Sequence, residues 1–166
     1  MFFICLSFSF DPIHHTARNC DPALTAEQLS KVRSIDVFGK VKSIPPLSSF
    51  RVLRVLEVDD CSSLDSNHPN DLGKFCLLRF LRLQDFNDTK LPERIGELEL
   101  LDTLDIRQSG SITPVVLPVS FSKLGKLVRL LGTNVEIPDG LTLENMTFLR
   151  DLGSIWASYL ACNQVW

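Results

Sequence analysis

Histidine, cysteine and carboxylate side chains are the groups in this sequence that could bind a metal or transfer protons. His14, His15 and Cys20 are ligand types that zinc accepts, but they lie in an unpatterned stretch and lack the fourth ligand of a structural zinc site. Asp59 and Asp60 are consecutive, and neighbouring side chains on a strand point in different directions. The sequence therefore predicts neither a metal site nor a pair of catalytic carboxylates.

Motifs for nucleophilic or nucleotide chemistry are missing as well. The chain has no GxSxG, the turn that exposes a serine nucleophile. It also has no phosphate-binding GxxxxGK[ST], since Gly125-Lys126 is followed by Leu127. We therefore expect no enzymatic activity and no cofactor, and a function that depends on the surfaces of the folded elements.

Those elements follow from a spacing of apolar residues, LxxLxL, that recurs along most of the chain. Successive starts lie 21 to 26 residues apart, within the period of about 20–29 residues that leucine-rich repeats show. The alternation within LxL predicts a short strand with one buried face, and the apolar residues that follow predict a helix or turn that closes each coil. The repeats begin at Val32, Leu53, Leu78, Leu101, Leu127 and Leu149.

The predicted fold class is α/β: a leucine-rich repeat solenoid of five to six repeats. It has a short parallel β-sheet on the concave face and short helices or turns on the convex face. We assign residues 32–155 to the repeats, 1–31 to an N-terminal segment that is a partial cap or disordered, and 156–166 to an irregular tail. Thr25–Gln28 resembles the start of a short helix. Because Ile155–Leu160 departs from the repeat spacing, we expect a truncated array with an exposed apolar end.

The polar residues beside the second and third apolar positions of each repeat should point to the concave side. Stacking would set equivalent residues about 4.8 Å apart, with Arg82 between Glu57 and Asp105. Six carboxylates would then face two arginines, and a surface of one dominant sign attracts a partner of the opposite sign. The alternative is an acidic face that is only solvated. We predict that this face binds a basic protein surface through Asp36, Glu57, Asp59, Asp60, Arg82, Gln84, Asp85, Asp105 and Arg107.

Length and composition exclude several other classes of protein. The 166 residues suit about one domain, and 45% hydrophobic with 22% charged residues is typical of globular chains. A net charge of −3 argues against a nucleic-acid binder. Five scattered cysteines without a CxxC pair fit neither a disulfide framework nor a zinc site, and favour a reducing, intracellular setting.

The first ten residues form an apolar run that ends at Asp11. The run is shorter than the ~20 apolar residues of a membrane helix, and it lacks the basic n-region and cleavage site of a signal peptide. We therefore predict no membrane span. A secreted or surface leucine-rich repeat protein remains an alternative, supported only by this run and by glycosylation sequons at Asn87 and Asn145.

Several stretches of the repeats carry motifs of one protein family. They are Ser48–Val58, Asp71–Leu81, Leu91–Ile106, Ile137–Gly140 and Asn145–Thr147. Together they resemble the repeat region of plant intracellular nucleotide-binding, leucine-rich repeat (NB-LRR) disease-resistance proteins. The resemblance covers roughly residues 30–155. It includes the Leu-Pro element of intracellular repeats and lacks the Leu-x-Gly-x-Ile-Pro element of secreted plant repeats.

The resemblance implies a fragment of a cytoplasmic receptor whose repeats recognise pathogen effectors and hold a nucleotide-binding domain inactive. The implied partners are an own-type nucleotide-binding domain, a pathogen effector or a guarded host protein. Because the phosphate-binding motif is missing, ATP or ADP binding does not carry over to this chain. A further alternative, an adaptor that recruits substrates to a ubiquitin ligase, rests on analogy of fold alone.

Overall fold

The structure is a computed structural model that describes most of the repeats and short N-terminal and C-terminal stretches. The described residues are 3–8, 15–17, 25–38, 46–59, 72–84, 91–108, 113–153 and 155–157. The strands are β1 (Phe3–Phe8), β2 (His15–Ala17), β3 (Val32–Phe38), β4 (Val55–Val58), β5 (Phe80–Leu83), β6 (Thr103–Ile106), β7 (Val115–Val116), β8 (Arg129–Gly132), β9 (Val135–Ile137), β10 (Asp151–Leu152) and β11 (Ile155–Ala157). The helices are α1 (Ala26–Leu29) and 3-10 helices at Leu47–Ser49, Leu72–Lys74, Glu93–Glu97 and Val119–Lys123.

An eight-stranded sheet organises the molecule, in the order β10-β8-β6-β5-β4-β3-β1-β2. From β3 to β10 the neighbouring strands of this sheet run parallel, one strand from each repeat. The spacing LxxLxL therefore predicts the repeat strands correctly, and the leucine-rich repeat fold is confirmed. Among the described residues, each of the six repeats contributes one parallel strand to this sheet.

The leucines of the repeat spacing form one continuous core behind the sheet. In the second repeat Leu53, Leu56 and Val58 are buried, and the equivalent residues of the third and fourth repeats are buried as well. Each coil alone has too little apolar surface to be stable, because its buried residues contact mainly those of the adjacent coils. Stability therefore belongs to the stack rather than to a single repeat.

The returns between strands are closed by 3-10 helices, as the Leu-Pro element predicts. Leu91 is buried and Pro92 precedes the 3-10 helix Glu93–Glu97, where its fixed φ suits a helix start. The next return stacks on this one: the Ser120 hydroxyl donates to the Glu93 carbonyl. At Gly96 a Cβ would lie 2.3 Å from the Ser120 carbonyl oxygen, so only glycine permits this approach.

A second, three-stranded sheet lies on the return side of the last repeats, in the order β11-β9-β7. Ile155 aligns with Val135 in the parallel pair of β11 and β9. Regular structure therefore continues through residue 157, and the predicted boundary after residue 155 falls inside β11. The rest of that predicted tail lies outside the described residues.

The N-terminal segment contributes regular structure of its own. Thr25 caps α1, accepting from the Gln28 backbone while the Gln28 side chain accepts from the Thr25 backbone, which confirms the predicted helix start. Strand β1 pairs antiparallel with β3 and covers the edge of the sheet beside the first repeat. A strand on an otherwise open edge satisfies backbone groups there that would stay unpaired.

Candidate functional site

Strand register places the predicted concave residues in one row across the sheet. Asp36 aligns with Glu57, Glu57 with Arg82, Arg82 with Asp105, and Asp105 with Leu131. The residues on either side of Asp36, Glu57, Arg82 and Asp105 are buried aliphatic residues, so these four side chains lie on the opposite face, because side chains alternate along a strand. The structure therefore brings this predicted row together in the predicted order.

Arg82 is the central cation of the row. Its guanidinium lies 3.5 Å from Glu57, 3.9 Å from Asp59 and 3.8 Å from Asp105, and Nη2 donates to Gln84 Oε1 at 2.8 Å. The side chains of Arg82, Glu57 and Asp59 are 31%, 27% and 30% exposed. Water screens such pairs to ~0–1 kcal/mol each. Arg82 of the third coil thus links carboxylates of the second and fourth coils without neutralising them.

Asp105 and Arg107 form the tightest pair on this face. Arg107 donates through Nε to Asp105 Oδ1 at 2.9 Å and through Nη2 to Oδ2 at 2.6 Å, a bidentate arrangement. Burial opposes ionisation of Asp105, but the hydrogen bonds from Arg107 outweigh it and hold the pKa of Asp105 below its usual range. The hydrogen bond to Asp105 in turn raises the pKa of Arg107.

The burial of Asp105 corrects one part of the predicted site. Asp105 is only 3% exposed, because Arg82 and Arg107 lie against it from two sides. It positions the two arginines and has almost no surface for direct contact with a partner. Thr103, at the start of the same strand, is buried too, so the sheet surface at β6 is covered more completely than the repeat pattern predicts.

Glu57 has the opposite electrostatic environment. Partial burial raises its pKa, repulsion from Asp36 and Asp59 adds to the shift, and Arg82 offsets only part of it. The surface around Glu57 therefore has an excess of negative charge. We call the described residues Asp36, Glu57, Asp59, Arg82 and Gln84 the acidic face.

The remaining predicted site residues divide into two groups. Asp59 and Gln84 are held beside the preceding coil by backbone hydrogen bonds to Val37 and Val58, so they continue the face past the strand ends. Asp60 and Asp85 lie outside the described residues. The described acidic face therefore rests on fewer carboxylates than predicted.

Sequence analysis missed a second charged row on the same sheet. Arg33, Arg54 and Arg79 each follow the first apolar residue of a repeat, and all three are exposed. The signal was present in the sequence, because the same repeat position is arginine in three successive coils. This row lies where the strands begin, whereas Asp36, Glu57 and Arg82 of the acidic face lie further along the same strands.

No metal or membrane element emerges from the part of the chain that the structure describes. Nowhere in it do three His, Cys, Asp or Glu side chains gather closely enough to hold a metal ion, and none of its helices has the length and apolar character needed to cross a membrane. His14 and Cys20 lie outside the described residues, and only the backbone of His15 is described.

Comparison with known proteins identifies similar repeats. A family model described as a leucine-rich repeat region matches residues 31–164. Two proteins from Oryza sativa subsp. japonica are similar over much of the chain. Disease resistance protein Pik-2 is 33% identical over 116 residues, which is 69% of this chain and 11% of that protein. Disease resistance protein RGA4 is 36% identical over 105 residues, 63% of this chain and 10% of that protein. The chain thus spans about a tenth of the length of these relatives.

Proposed function

The chain belongs to the leucine-rich repeat region family, and on that premise we propose that it is a non-enzymatic recognition module whose acidic face binds a basic protein surface. The observation that carries the proposal is the clustering of carboxylates around Glu57. Burial raises the pKa of Glu57 most and repulsion from Asp36 and Asp59 adds to the shift, although Arg82 is only 3.5 Å away. A cationic group from a partner would relieve that repulsion and would be attracted to it from a distance.

The proposed partners are those of an intracellular plant immune receptor. They are an own-type nucleotide-binding domain, a pathogen effector or a guarded host protein, met in the cytoplasm. Support comes from the relatives, which are disease resistance proteins, and from the leucine-rich repeat region that matches residues 31–164, the part of the chain that contains the acidic face. The module would then recognise effectors or hold a nucleotide-binding domain inactive as part of a defence response.

A charge-reversal experiment tests the acidic face. The probe is the nucleotide-binding domain of a plant NB-LRR receptor, and the variant is Glu57→Lys with Asp59→Lys in the full chain. We expect binding at low salt to weaken by at least about tenfold, mainly through a slower association rate, and to depend less on salt concentration. Titration calorimetry and stopped-flow association measure the two effects.

The matched control reverses two carboxylates away from this face, Glu93→Lys with Glu144→Lys. Both residues are exposed, and the change in net charge is the same. The proposed binding face would be contradicted if the Glu57/Asp59 variant bound with unchanged affinity, or if the control variant lost as much affinity as the Glu57/Asp59 variant. A wild-type chain that fails to bind the domain at low salt would contradict it as well.

Acidification supplies an independent measurement. Because the pKa of Glu57 is raised, this carboxylate takes up a proton before an ordinary glutamate does as the pH falls. Affinity for a basic partner should therefore begin to decline above the usual glutamate pKa. A Glu57→Gln variant should bind the partner more weakly at neutral pH. Its affinity should not show the decline that the wild type shows above the usual glutamate pKa.

A further inference from the structure

The row of Arg33, Arg54 and Arg79 is held in alignment by the backbone. The Arg54 amide donates to the Arg33 carbonyl at 2.8 Å, and the Arg79 amide donates to the Arg54 carbonyl at 2.8 Å. The Asp102 amide then donates to the Arg79 carbonyl at 2.9 Å, so the basic row ends where the fourth coil begins. Strand spacing sets the three arginines about 4.8 Å apart from one coil to the next.

These arginines have no internal role that the structure shows. Each is exposed, and within the described ranges no carboxylate lies at ion-pair distance from any of the three guanidiniums. Arg82 and Arg107, by contrast, are both engaged with carboxylates. Three like charges in neighbouring coils repel one another, which a partner of opposite charge would relieve.

An apolar row accompanies the basic row. In the second and third coils a buried leucine separates the two rows, so Val52 lies two positions before Arg54 and Leu77 two positions before Arg79. Leu100 continues the apolar row in the fourth coil, whereas Lys31 occupies this position in the first coil. Leu77 is 40% exposed, while Val52 and Leu100 are half-buried. Leu77, with half-buried Val52 and Leu100 in the coils on either side, gives the charged row a short apolar strip as its neighbour, a combination that suits a protein partner. We call Arg33, Arg54, Arg79, Val52, Leu77 and Leu100 the basic edge.

We propose that the basic edge binds an amphipathic helix with an acidic stripe beside an apolar stripe, supplied by a partner protein. The spacing favours a helix over an extended peptide. One helical turn rises about 5.4 Å, close to the ~4.8 Å between coils. Acidic residues at i, i+4 and i+7 would meet the arginines in turn, and apolar residues on the next stripe would cover Leu77. In an extended peptide, by contrast, side chains on one face lie about 6.6 Å apart, so they would no longer match the ~4.8 Å spacing of the arginines after one coil.

Charge also argues for a protein helix over a nucleic acid. The acidic face lies on the same sheet: Asp36 shares β3 with Arg33, and Glu57 lies in β4, which begins directly after Arg54. A polyphosphate backbone would be repelled by this neighbouring row, whereas a helix confines its negative charge to one stripe. The proposal concerns a different surface from the acidic face and does not depend on it.

Peptide binding to the full chain tests the proposal. The probe is a fluorescent synthetic helix with glutamates at i, i+4 and i+7 and leucines on the adjoining stripe. We expect binding that weakens at least about tenfold in the Arg54→Glu, Arg79→Glu variant and several-fold in Leu77→Ser, measured by fluorescence anisotropy. The same helix with lysine for glutamate should not bind.

The matched control is Arg150→Glu with Lys123→Glu, which makes the same change in net charge. Arg150 occupies the basic-row position of the last repeat, where the preceding coil has Val128.

The control variant should bind the peptide as tightly as the wild type does. The Glu57→Lys, Asp59→Lys variant should also bind the peptide no more weakly than the wild type. If a peptide of the same composition but interrupted by proline bound equally well, the partner would not be a helix. If a DNA duplex displaced the peptide at a concentration similar to that of the peptide, the surface would be a nucleic-acid site instead. If the Arg54/Arg79 variant unfolded at the wild-type temperature and still bound the peptide normally, the proposed site would be wrong.

Discussion

The first three repeats and the last two share the repeat spacing but differ in burial and in the charge of their surfaces. Strands β3, β4 and β5 carry Asp36, Glu57 and Arg82 in one row. The same row continues as Leu131 in β8 and Gly153 just after β10, where charge is absent. The early repeats return through 3-10 helices, whereas the last ones add a second sheet behind the first.

The difference shows which positions the fold leaves open. The buried apolar residues of the spacing fix the coils as far as Leu130 in β8, so they carry no information about a partner. The exposed positions are free of that constraint: the row that carries Asp36, Glu57 and Arg82 in the early repeats carries Leu131 in β8, and the charged side chains of β8 and β10, Arg129 and Asp151, pair with each other. Strand β6 joins the two regions, and its Asp105 is the buried carboxylate that anchors Arg107 while lying beside Arg82.

The largest expected effect compares one repeat position in the two regions. Leu81 in β5 is fully buried, and Leu152, its equivalent in β10, is 51% exposed. Leu81→Ala should lower the free energy of unfolding by ~2–5 kcal/mol through lost burial and a cavity, and Leu152→Ala by less than ~1 kcal/mol. Urea unfolding measures both. Equal losses would mean that the last repeat is as tightly covered as the third, and the comparison would fail.

A smaller effect concerns the join between the regions. Gly96 lies against the Ser120 backbone of the following return, whereas the same position one repeat earlier, Gly73, faces the movable end of the Glu97 side chain. Gly96→Ala should destabilise by ~1–3 kcal/mol, since backbone must shift, and Gly73→Ala should change stability by much less. Thermal unfolding of the pair decides the matter, and similar melting temperatures would show that the returns are loosely stacked.

The smallest expected effect compares two ion pairs. Asp105 is buried against Arg107, whereas Asp151 and Arg129, 3.4 Å apart, have side chains 59% and 57% exposed. Asp105→Asn should cost ~1–3 kcal/mol at neutral pH, and Asp151→Asn ~0–1 kcal/mol. Because the pKa of Asp105 is lowered, its contribution is present above the usual aspartate pKa and is lost as the pH falls through the lower folded value.

Unfolding measured from pH 7 to pH 2 therefore sharpens the comparison. The gap in unfolding free energy between wild type and Asp105→Asn should begin to narrow below about pH 4, where the Asp105 carboxyl of the unfolded chain takes up a proton before that of the folded chain does. The Asp151→Asn variant should follow the wild type throughout. A gap for Asp105→Asn that is independent of pH would point to a packing defect instead of a lost charge.

Much of the fold could be predicted because the repeat spacing is local information. Leu53, Leu56 and Val58 lie within six residues, and their pattern alone indicates a strand with one buried face. Strands β1 and β7 could not be predicted this way. Strand β1 owes its place to pairing with β3, about thirty residues later, and β7 is only two residues long.

The candidate site was predictable to a similar depth. Register follows from the repeats, so the order Asp36, Glu57, Arg82 and Asp105 could be read from spacing. The burial of Asp105 could not, because it depends on two arginines that come from different coils. Sequence analysis also ranked carboxylates above cations and so overlooked Arg33, Arg54 and Arg79, although their repeat position is as regular.

Under the proposed function, Arg82 would make the acidic face selective by competition. A cationic partner that approaches Glu57 or Asp59 would meet carboxylates that already share a guanidinium, so binding would exchange one cation for another. Single ammonium groups and salt ions would gain little from such an exchange, whereas a surface with several well-spaced cations would contact both carboxylates together. Weakly basic proteins would therefore bind this face poorly.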